Sequence, residues 1–180
     1  RVGRQAQLDA DLKHAADHGY FYGVKLVRGA YMEKERERAA QQGYPSPIQP
    51  DKAATDAEYD ACLRMMLSAL GTPDQPGRVG VVIGTHNESS TRLGAEQLVA
   101  QGWTPSEAPV WFAQLYGMSD FISFVVAHHG FRVAKYLPFG PIVNVMPYLL
   151  RRAEENTSVA GQTGRELSML RQETARRARK

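Results

Sequence analysis

The sequence predicts an α/β protein built on a parallel sheet. Three observations carry this. Short apolar runs alternate with helical patterns, no hairpin signal joins two runs, and the clearest run is apolar throughout, as a strand covered on both faces is. Two architectures fit the pattern, an open doubly wound sheet and a (β/α)8 barrel. Only four strands are visible, and a closed eight-strand barrel takes roughly 200 residues or more. A barrel reading therefore assigns this chain the C-terminal half of one, four βα units plus terminal helices.

The elements follow in order. Residues 6–18 read as a helix with Leu8, Leu12 and Ala15 on one side, and Gly19 and Gly23 punctuate the chain before a short buried strand over Val24–Val27. A charged helix runs from Glu33 to Gln42. Pro45, Pro47 and Pro50 then force a loop, and Asp51 to Leu70 forms the longest helix. A Gly/Pro loop at 71–77 leads to Val79–Ile83, the clearest strand, short and β-branched. A helix over Glu88–Gly102, a strand over Val110–Leu115, a helix over Asp120–His129 and a strand over Arg132–Leu137 complete the alternation. A helix around 147–156 and a last, basic amphipathic helix over about 165–179 close the chain. No linker or low-complexity stretch interrupts the pattern, so 1–180 reads as one domain.

The bulk numbers narrow the class. With 180 residues, 43% of them hydrophobic and 23% charged, the chain can bury a real core. The net charge of +3 is uneven: residues 165–180 hold six cations against Glu166 and Glu173, and the remainder is close to neutral. Such a tail can touch nucleic acid or anionic lipid, but more often it is a solvated helix end. Cys62 is the only cysteine, which rules out an internal disulfide and suits a small buried side chain in a reducing compartment. No apolar run reaches about 18 residues, the length of a membrane-spanning helix. The chain starts at Arg1, so its native N-terminus is expected elsewhere.

Polar and aromatic groups collect where the strands end, at Arg28-Gly29-Ala30-Tyr31, Thr85-His86-Asn87, Gln114-Leu115-Tyr116-Gly117 and Tyr136-Leu137-Pro138-Phe139-Gly140. In parallel α/β folds the C-terminal edge of the sheet is the ligand-binding edge. His86 fits a general base, a metal ligand, a donor to a ligand, or a histidine satisfied by backbone. Lys25 inside a strand must reach a partner or the barrel mouth, because an unpaired buried ammonium is costly. Tyr31, Tyr116 and Tyr136 fit either a stacked flat ligand or plain mouth aromatics. No HxH or HExxH spacing occurs, and His128-His129 sits at a helix end, so no metal site is expected. GxGxxG and GxxxxGK[ST] are also absent, which leaves a Rossmann or phosphate-loop site unsupported.

One helix face stands apart. At 100° per residue Tyr148, Arg151, Arg152 and Glu155 point together, with Met146, Leu149, Leu150 and Ala153 opposite. Two guanidiniums, a phenol and a carboxylate on one face could clamp a small carboxylate substrate through paired hydrogen bonds. A solvated face laced with ion pairs fits the same spacing.

The strings Lys25-Leu-Val-Arg-Gly-Ala-Tyr-Met32, Thr85-His-Asn-Glu88, Gln114-Leu-Tyr-Gly-Met118, Lys135-Tyr-Leu-Pro-Phe-Gly140 and Tyr148-Leu-Leu-Arg-Arg-Ala-Glu-Glu-Asn156 closely resemble the proline dehydrogenase family. Order and spacing agree from about residue 10 to 165, and the single-function enzymes of bacteria and mitochondria are the most similar. The resemblance implies a distorted (β/α)8 barrel holding FAD. It also implies oxidation of L-proline to Δ1-pyrroline-5-carboxylate by hydride transfer to FAD N5, with electrons passed to a quinone. Arg151 and Arg152 match the pair that binds the proline carboxylate. Tyr136 and Tyr148 match aromatics of the substrate pocket, and Leu115 an apolar wall. Lys25 matches a basic residue near the flavin's reactive nitrogen. Val27, Gly29, Ala30 and Tyr31 match the segment along the isoalloxazine. Thr55, Thr85, His86 and Asn87 match contacts to the rest of FAD, and Gln114 and Glu155 complete the cofactor set. Met32 stands where some relatives have tryptophan. Tyr136 favours proline, since hydroxyproline-preferring relatives carry a smaller, more polar residue there.

The family's first four strands have no counterpart in the sequence, so four strands are expected to need a separate half, a longer polypeptide or a second copy, and the isolated chain is expected to be inactive. The alternatives are a half-barrel without activity of its own and another flavin-dependent barrel enzyme. No nucleic acid and at most peripheral membrane contact are expected, in the cytoplasm beside the bacterial inner membrane or on the mitochondrial matrix side.

Overall fold

The computed structural model describes residues 1–29, 31–158 and 162–178, with side chains at 1–29, 31–150, 167, 168, 171, 172 and 174–178. The elements are α1 (Arg4–His18), β1 (Tyr22–Val27), α2 (Met32–Gln42), α3 (Lys52–Leu70), β2 (Val79–Gly84), α4 (Glu88–Ala100), β3 (Val110–Leu115), α5 (Asp120–His128), β4 (Val133–Tyr136), α6 (Ile142–Ser158) and α7 (Gln162–Arg177). The chain divides into two compact units, Arg1–Tyr136 and Leu137–Lys180, each described by itself.

In the first unit the four strands pair in parallel in the order β1-β2-β3-β4. Strand order equal to chain order decides between the two architectures, because a doubly wound sheet reverses its order at a switch point and a barrel does not. Helices α3 and α5 both pack on the sheet, α3 on β1 and β2, α5 on β3 and β4. The sheet also curls: the Lys25 ammonium on β1 lies 5.5 Å from the Tyr136 ring centroid on β4, although three strand spacings separate β1 from β4 by about 14 Å in a flat sheet. The unit is an arc of four parallel strands with their connecting helices, of the (β/α)8 type.

The core lies between the convex face of the arc and the helices. Along α3, Tyr59, Cys62, Leu63, Met66, Leu67 and Leu70 recur at three- and four-residue steps and are all buried. They meet Val81 and Ile83 of β2, Val110 and Phe112 of β3, and Leu98 of α4. Cys62 behaves as the small buried side chain its pattern predicts, and burial pushes its thiol pKa up. Gly94 lets α4 approach the sheet, since a Cβ there would stand 2.8 Å from Ile83 Cδ1. Capping follows the sequence: the Asp51 carboxylate accepts from the Ala54 N–H at 2.7 Å, and the Asn87 side chain from the Ser90 N–H at 3.1 Å.

The structure corrects three sequence expectations. The first concerns β1, which is not buried on both faces: it alternates half-buried and exposed residues because its outer edge is unpaired and its concave face is uncovered. For the same reason Lys25 is an exposed lysine on the concave face. The third is helix α6, which starts at Ile142 and runs through Pro147, whose ring nitrogen cannot return a hydrogen bond to the preceding turn. Met146, Leu149 and Leu150, its predicted apolar face, are exposed.

Gly71 ends α3 with φ 73° and ψ −152°, a region open essentially to glycine alone, and a Cβ there would fall 2.3 Å from the Gln75 carbonyl oxygen. Its own carbonyl accepts from Trp103 Nε1 at 3.0 Å. Gly71→Ala is therefore expected to destabilise the protein by about 3 kcal/mol, read as a lower urea midpoint at unchanged slope. A shift under about 0.5 kcal/mol, the range of an unconstrained surface site, would contradict this reading.

Candidate active site

The registers sort the strand ends into layers. Leu26, Ile83, Phe112 and Val133 pair across the sheet as an apolar row beneath the helices. Val27, Gly84, Ala113 and Ala134 form the next row, on the concave face. Three of these four residues have at most a methyl side chain, and a Cβ on Gly84 would meet Val27 Cγ1 at 2.8 Å. The row is thus a shallow shelf. Continuing the pairing one residue further puts Arg28, Thr85, Gln114 and Lys135 on the helix side, and one more puts Gly29, His86, Leu115 and Tyr136 on the concave side.

The concave face gathers Lys25, Val27, Gly29, His86, Leu115 and Tyr136 from the predicted site residues. The Lys25–Tyr136 contact spans it, and Tyr136 is about half exposed. A cleft of about 270 Å³ at the outer edge of β1 is lined by Lys25, Val27, Gly29 and Thr55. Tyr31, the N-cap of α2, and Ser119, the N-cap of α5, are the non-glycine residues with positive φ, at 71° and 52°, among the described residues. Both follow strand C-terminal ends, and local strain of this kind gathers at functional sites.

His86 is satisfied by protein. Its Nδ1 lies 2.9 Å from Ser119 Oγ, and the Leu115 N–H approaches Nε2 at 3.5 Å. A backbone donor facing Nε2 makes that nitrogen the acceptor, so Nδ1 carries the proton and donates to Ser119. Burial, and secondarily the Lys135 ammonium, hold the pKa of His86 below its ordinary 6.5. The unfolded chain then binds the proton more readily, so stability is full above pH 6.5 and falls as acidity passes through the folded-state pKa. Between about pH 7 and pH 5 the melting temperature is expected to fall more steeply in the native chain than in His86→Gln. Equal slopes would contradict the assignment.

Thr85, Gln114 and Thr55 do not stand on the concave face, because strand alternation turns Thr85 and Gln114 to the helix side and Thr55 belongs to α3. Thr85 is 7% exposed, and its hydroxyl accepts from Arg28 at 2.8 Å and from the Asn87 N–H at 3.0 Å. Gln114 accepts from Ser123 Oγ at 2.9 Å and its amide nitrogen lies 3.5 Å from the Thr85 carbonyl. The Thr55 hydroxyl donates to the Asp51 carbonyl at 2.9 Å. Asn87 commits its side-chain oxygen to the α4 cap. Tyr148 belongs to the second unit and is half-buried. Ala30 and the side chains of Arg151, Arg152 and Glu155 lie outside the described residues.

Sequence reasoning missed the polar layer behind the concave face. The Arg28 guanidinium donates to Asp56 at 2.6 Å, to Thr85 at 2.8 Å and to Ser90 Oγ at 2.8 Å, and lies 4.0 Å from the centroid of the Tyr59 ring. Burial works to raise the Asp56 carboxyl, but the hydrogen bonds from Lys52 and Arg28 outweigh it and hold its pKa below 3.8. At the other end of the row, Lys135 donates to Ser123 at 2.9 Å and the Met118 carbonyl at 2.7 Å and pairs with Asp120 at 2.7 Å. The available signal was the i, i+4 pair Asp56 and Asp60 on α3, opposite an arginine at a strand end.

The shelf suits a flat aromatic ring system such as flavin: small side chains leave room for a ring, Lys25 offers positive charge at its edge, and Leu115 and Tyr136 wall one side. Among the described residues no group of three His, Cys, Asp or Glu could hold a metal ion, and no helix is long and apolar enough to cross a membrane.

Fold and site together define the class, four consecutive strands of a parallel (β/α)8-type barrel with a shelf of small side chains toward their C-terminal ends, flanked by Lys25 and Tyr136. The chain belongs to the proline dehydrogenase family, whose profile, described as proline dehydrogenase, matches residues 3–165. It is 42% identical over 169 residues to human mitochondrial proline dehydrogenase 1, covering 94% of this chain and 28% of that protein. It is 43% identical over 164 residues to bovine hydroxyproline dehydrogenase, covering 91% and 35%. Among solved structures, proline utilization A from Bdellovibrio bacteriovorus, inactivated by N-propargylglycine, superimposes with a TM-score of 0.75 at 28% identity, over 84% of this chain and 15% of that one. The chain spans about a quarter to a third of the length of such curated relatives.

Proposed function

We propose that the concave face serves flavin-dependent oxidation of L-proline to Δ1-pyrroline-5-carboxylate, the first step of proline catabolism. The observation that carries this is the shelf of Val27, Gly84, Ala113 and Ala134 with Lys25 and Tyr136 meeting across it, in a chain of this family. FAD, when bound, accepts the two electrons released as the ring C–N bond becomes C=N. Lys25 would place positive charge beside the flavin ring, with Val27, Gly29, Ala30 and Tyr31 along it. His86, Asn87, Thr55, Thr85 and Gln114 would hold the remainder, the last two from behind. Arg151 and Arg152 would grip the substrate carboxylate and so fix which ring carbon faces the acceptor. Glu155 would orient both arginines. Leu115, Tyr136 and Tyr148 would close the pocket against water.

Residues 1–180 act in this reading as one functional part of the barrel, with a basic stretch over 165–180 at its end. The partners are L-proline, a quinone acceptor, and the complementary barrel half or a second copy. Mitochondrial relatives favour the matrix side over the bacterial cytoplasm, with peripheral membrane contact at most.

Because bovine, frog and rodent relatives are named hydroxyproline dehydrogenases, the substrate fork is open to test. The bulk of Tyr136 leaves little room for a ring hydroxyl, so kcat/KM is expected to favour L-proline over 4-hydroxy-L-proline. Tyr136→Ser is expected to shift that ratio toward the hydroxylated substrate by about tenfold, the usual size of one added or removed small contact. An unchanged ratio would remove Tyr136 from the pocket.

A further inference from the structure

The corner between β2 and α4 carries Thr85, His86 and Asn87, and its shape depends on a residue from another strand. Arg28 follows β1. Its NH1 holds the Thr85 hydroxyl at 2.8 Å and its NH2 holds Ser90 Oγ at 2.8 Å, so one guanidinium grips the corner on both sides of His86 and Asn87. The same Thr85 oxygen accepts the Asn87 N–H at 3.0 Å, and Ser90 returns its own proton to Asp60 at 2.5 Å while its N–H caps onto Asn87 at 3.1 Å. The guanidinium is itself immobilised by Asp56 at 2.6 Å and by the Tyr59 ring beneath it. Tyr59 is 6% exposed and burial pushes its phenol pKa well above the usual range, so it remains a neutral platform. A lysine has no planar fork, and its compact ammonium does not match the spread of these three acceptors.

We infer that Arg28 is a positioning residue for the cofactor cradle: it sets the Thr85-His86-Asn87 corner from behind and touches neither substrate nor cofactor. This rests on the flavin reading of the concave face. Two effects separate it from general glue. Loss of the fork loosens this corner selectively, and it weakens flavin binding more than an equal loss of stability placed elsewhere does.

The test uses the whole 180-residue chain. Amide hydrogen exchange is followed at Asn87, Ser90 and Thr91 in Arg28→Met, Arg28→Lys and Ser90→Ala, below their melting temperatures. The reference is Arg78→Met, which removes an arginine that donates to the Gly19 carbonyl at 2.6 Å and stacks on Phe21 at the opposite end of β1 and β2. Protection at the corner is expected to fall at least about tenfold in Arg28→Met, partly in Arg28→Lys and Ser90→Ala, and not in Arg78→Met. In titrations with FAD the dissociation constant is expected to rise at least about tenfold in Arg28→Met and to stay level in Arg78→Met. If Arg28→Met does not fold, the Lys and Ser90→Ala variants decide on the same two readouts. Corner protection unchanged, or flavin affinity lowered equally by Arg78→Met, overturns the inference. If the native chain binds no FAD in isolation, the titration is repeated with the complementary barrel half present. Failure there too sinks both the flavin reading and the cofactor role, while the exchange result still decides whether Arg28 holds the corner.

Discussion

The double variant Arg151→Met/Arg152→Met is expected to lower kcat/KM for L-proline by about 10³- to 10⁴-fold in the flavin-loaded, assembled barrel. Each guanidinium offers charge-assisted hydrogen bonds to a carboxylate worth about 2–3 kcal/mol, and about 1.4 kcal/mol corresponds to a factor of ten. The loss belongs to carboxylate recognition. Turnover of pyrrolidine, the same ring without the carboxylate, should therefore be nearly unaffected, and the preference for proline over pyrrolidine should collapse. Methionine keeps the helix propensity and much of the aliphatic stem, so α6 survives the change. If the variant still prefers proline by the native margin, the two arginines are a solvated helix face and the clamp is elsewhere.

Phe112→Ala is expected to be the most damaging single truncation in the core. Phe112 is fully buried, its ring lies edge-on to Phe131 at 5.3 Å, and it sits under Gly94 in the row formed with Ile83 and Val133. Removing a buried phenyl ring costs about 3–5 kcal/mol, a large part of the roughly 5–15 kcal/mol that holds a domain folded. Urea unfolding should show a lower midpoint by that amount, or no cooperative transition at all. A loss below about 1.5 kcal/mol would mean that the sheet and α4 close over the gap, contrary to the tight contact at Gly94.

What the sequence made legible follows physical periodicity. The β-branched run Val79–Ile83 and the three-four spacing along α3 identify their elements because burial on one face forces those repeats. Parallel pairing follows from the absence of hairpin signals, whereas the order of the strands carries no such local signal. Other features have no local signal. Nothing in Tyr22–Val27 says that this strand lies at an open edge, since that depends on which strand pairs with it. The facing of Thr85 and Gln114 depends on register, where one residue decides the side. Resemblance marks such residues as belonging to the site without saying that they face away from it. Arg28 joins Asp56, Thr85 and Ser90 across 28, 57 and 62 residues of chain, a separation that no window of sequence spans. The His86 tautomer is set by the Leu115 N–H that faces Nε2, and the Nδ1 partner, Ser119, takes an unusual left-handed backbone.

The most direct measurement is the visible flavin spectrum of this chain assembled with the complementary four-strand half of a family barrel, first with FAD and then, without oxygen, with L-proline. The account predicts a perturbed flavin band that L-proline bleaches and that pyrrolidine or D-proline leaves largely oxidised. The same additions to the chain alone should give no bleaching, because four strands leave the outer edge of β1 open. A barrel that binds flavin and is not reduced by L-proline would contradict the account at its centre.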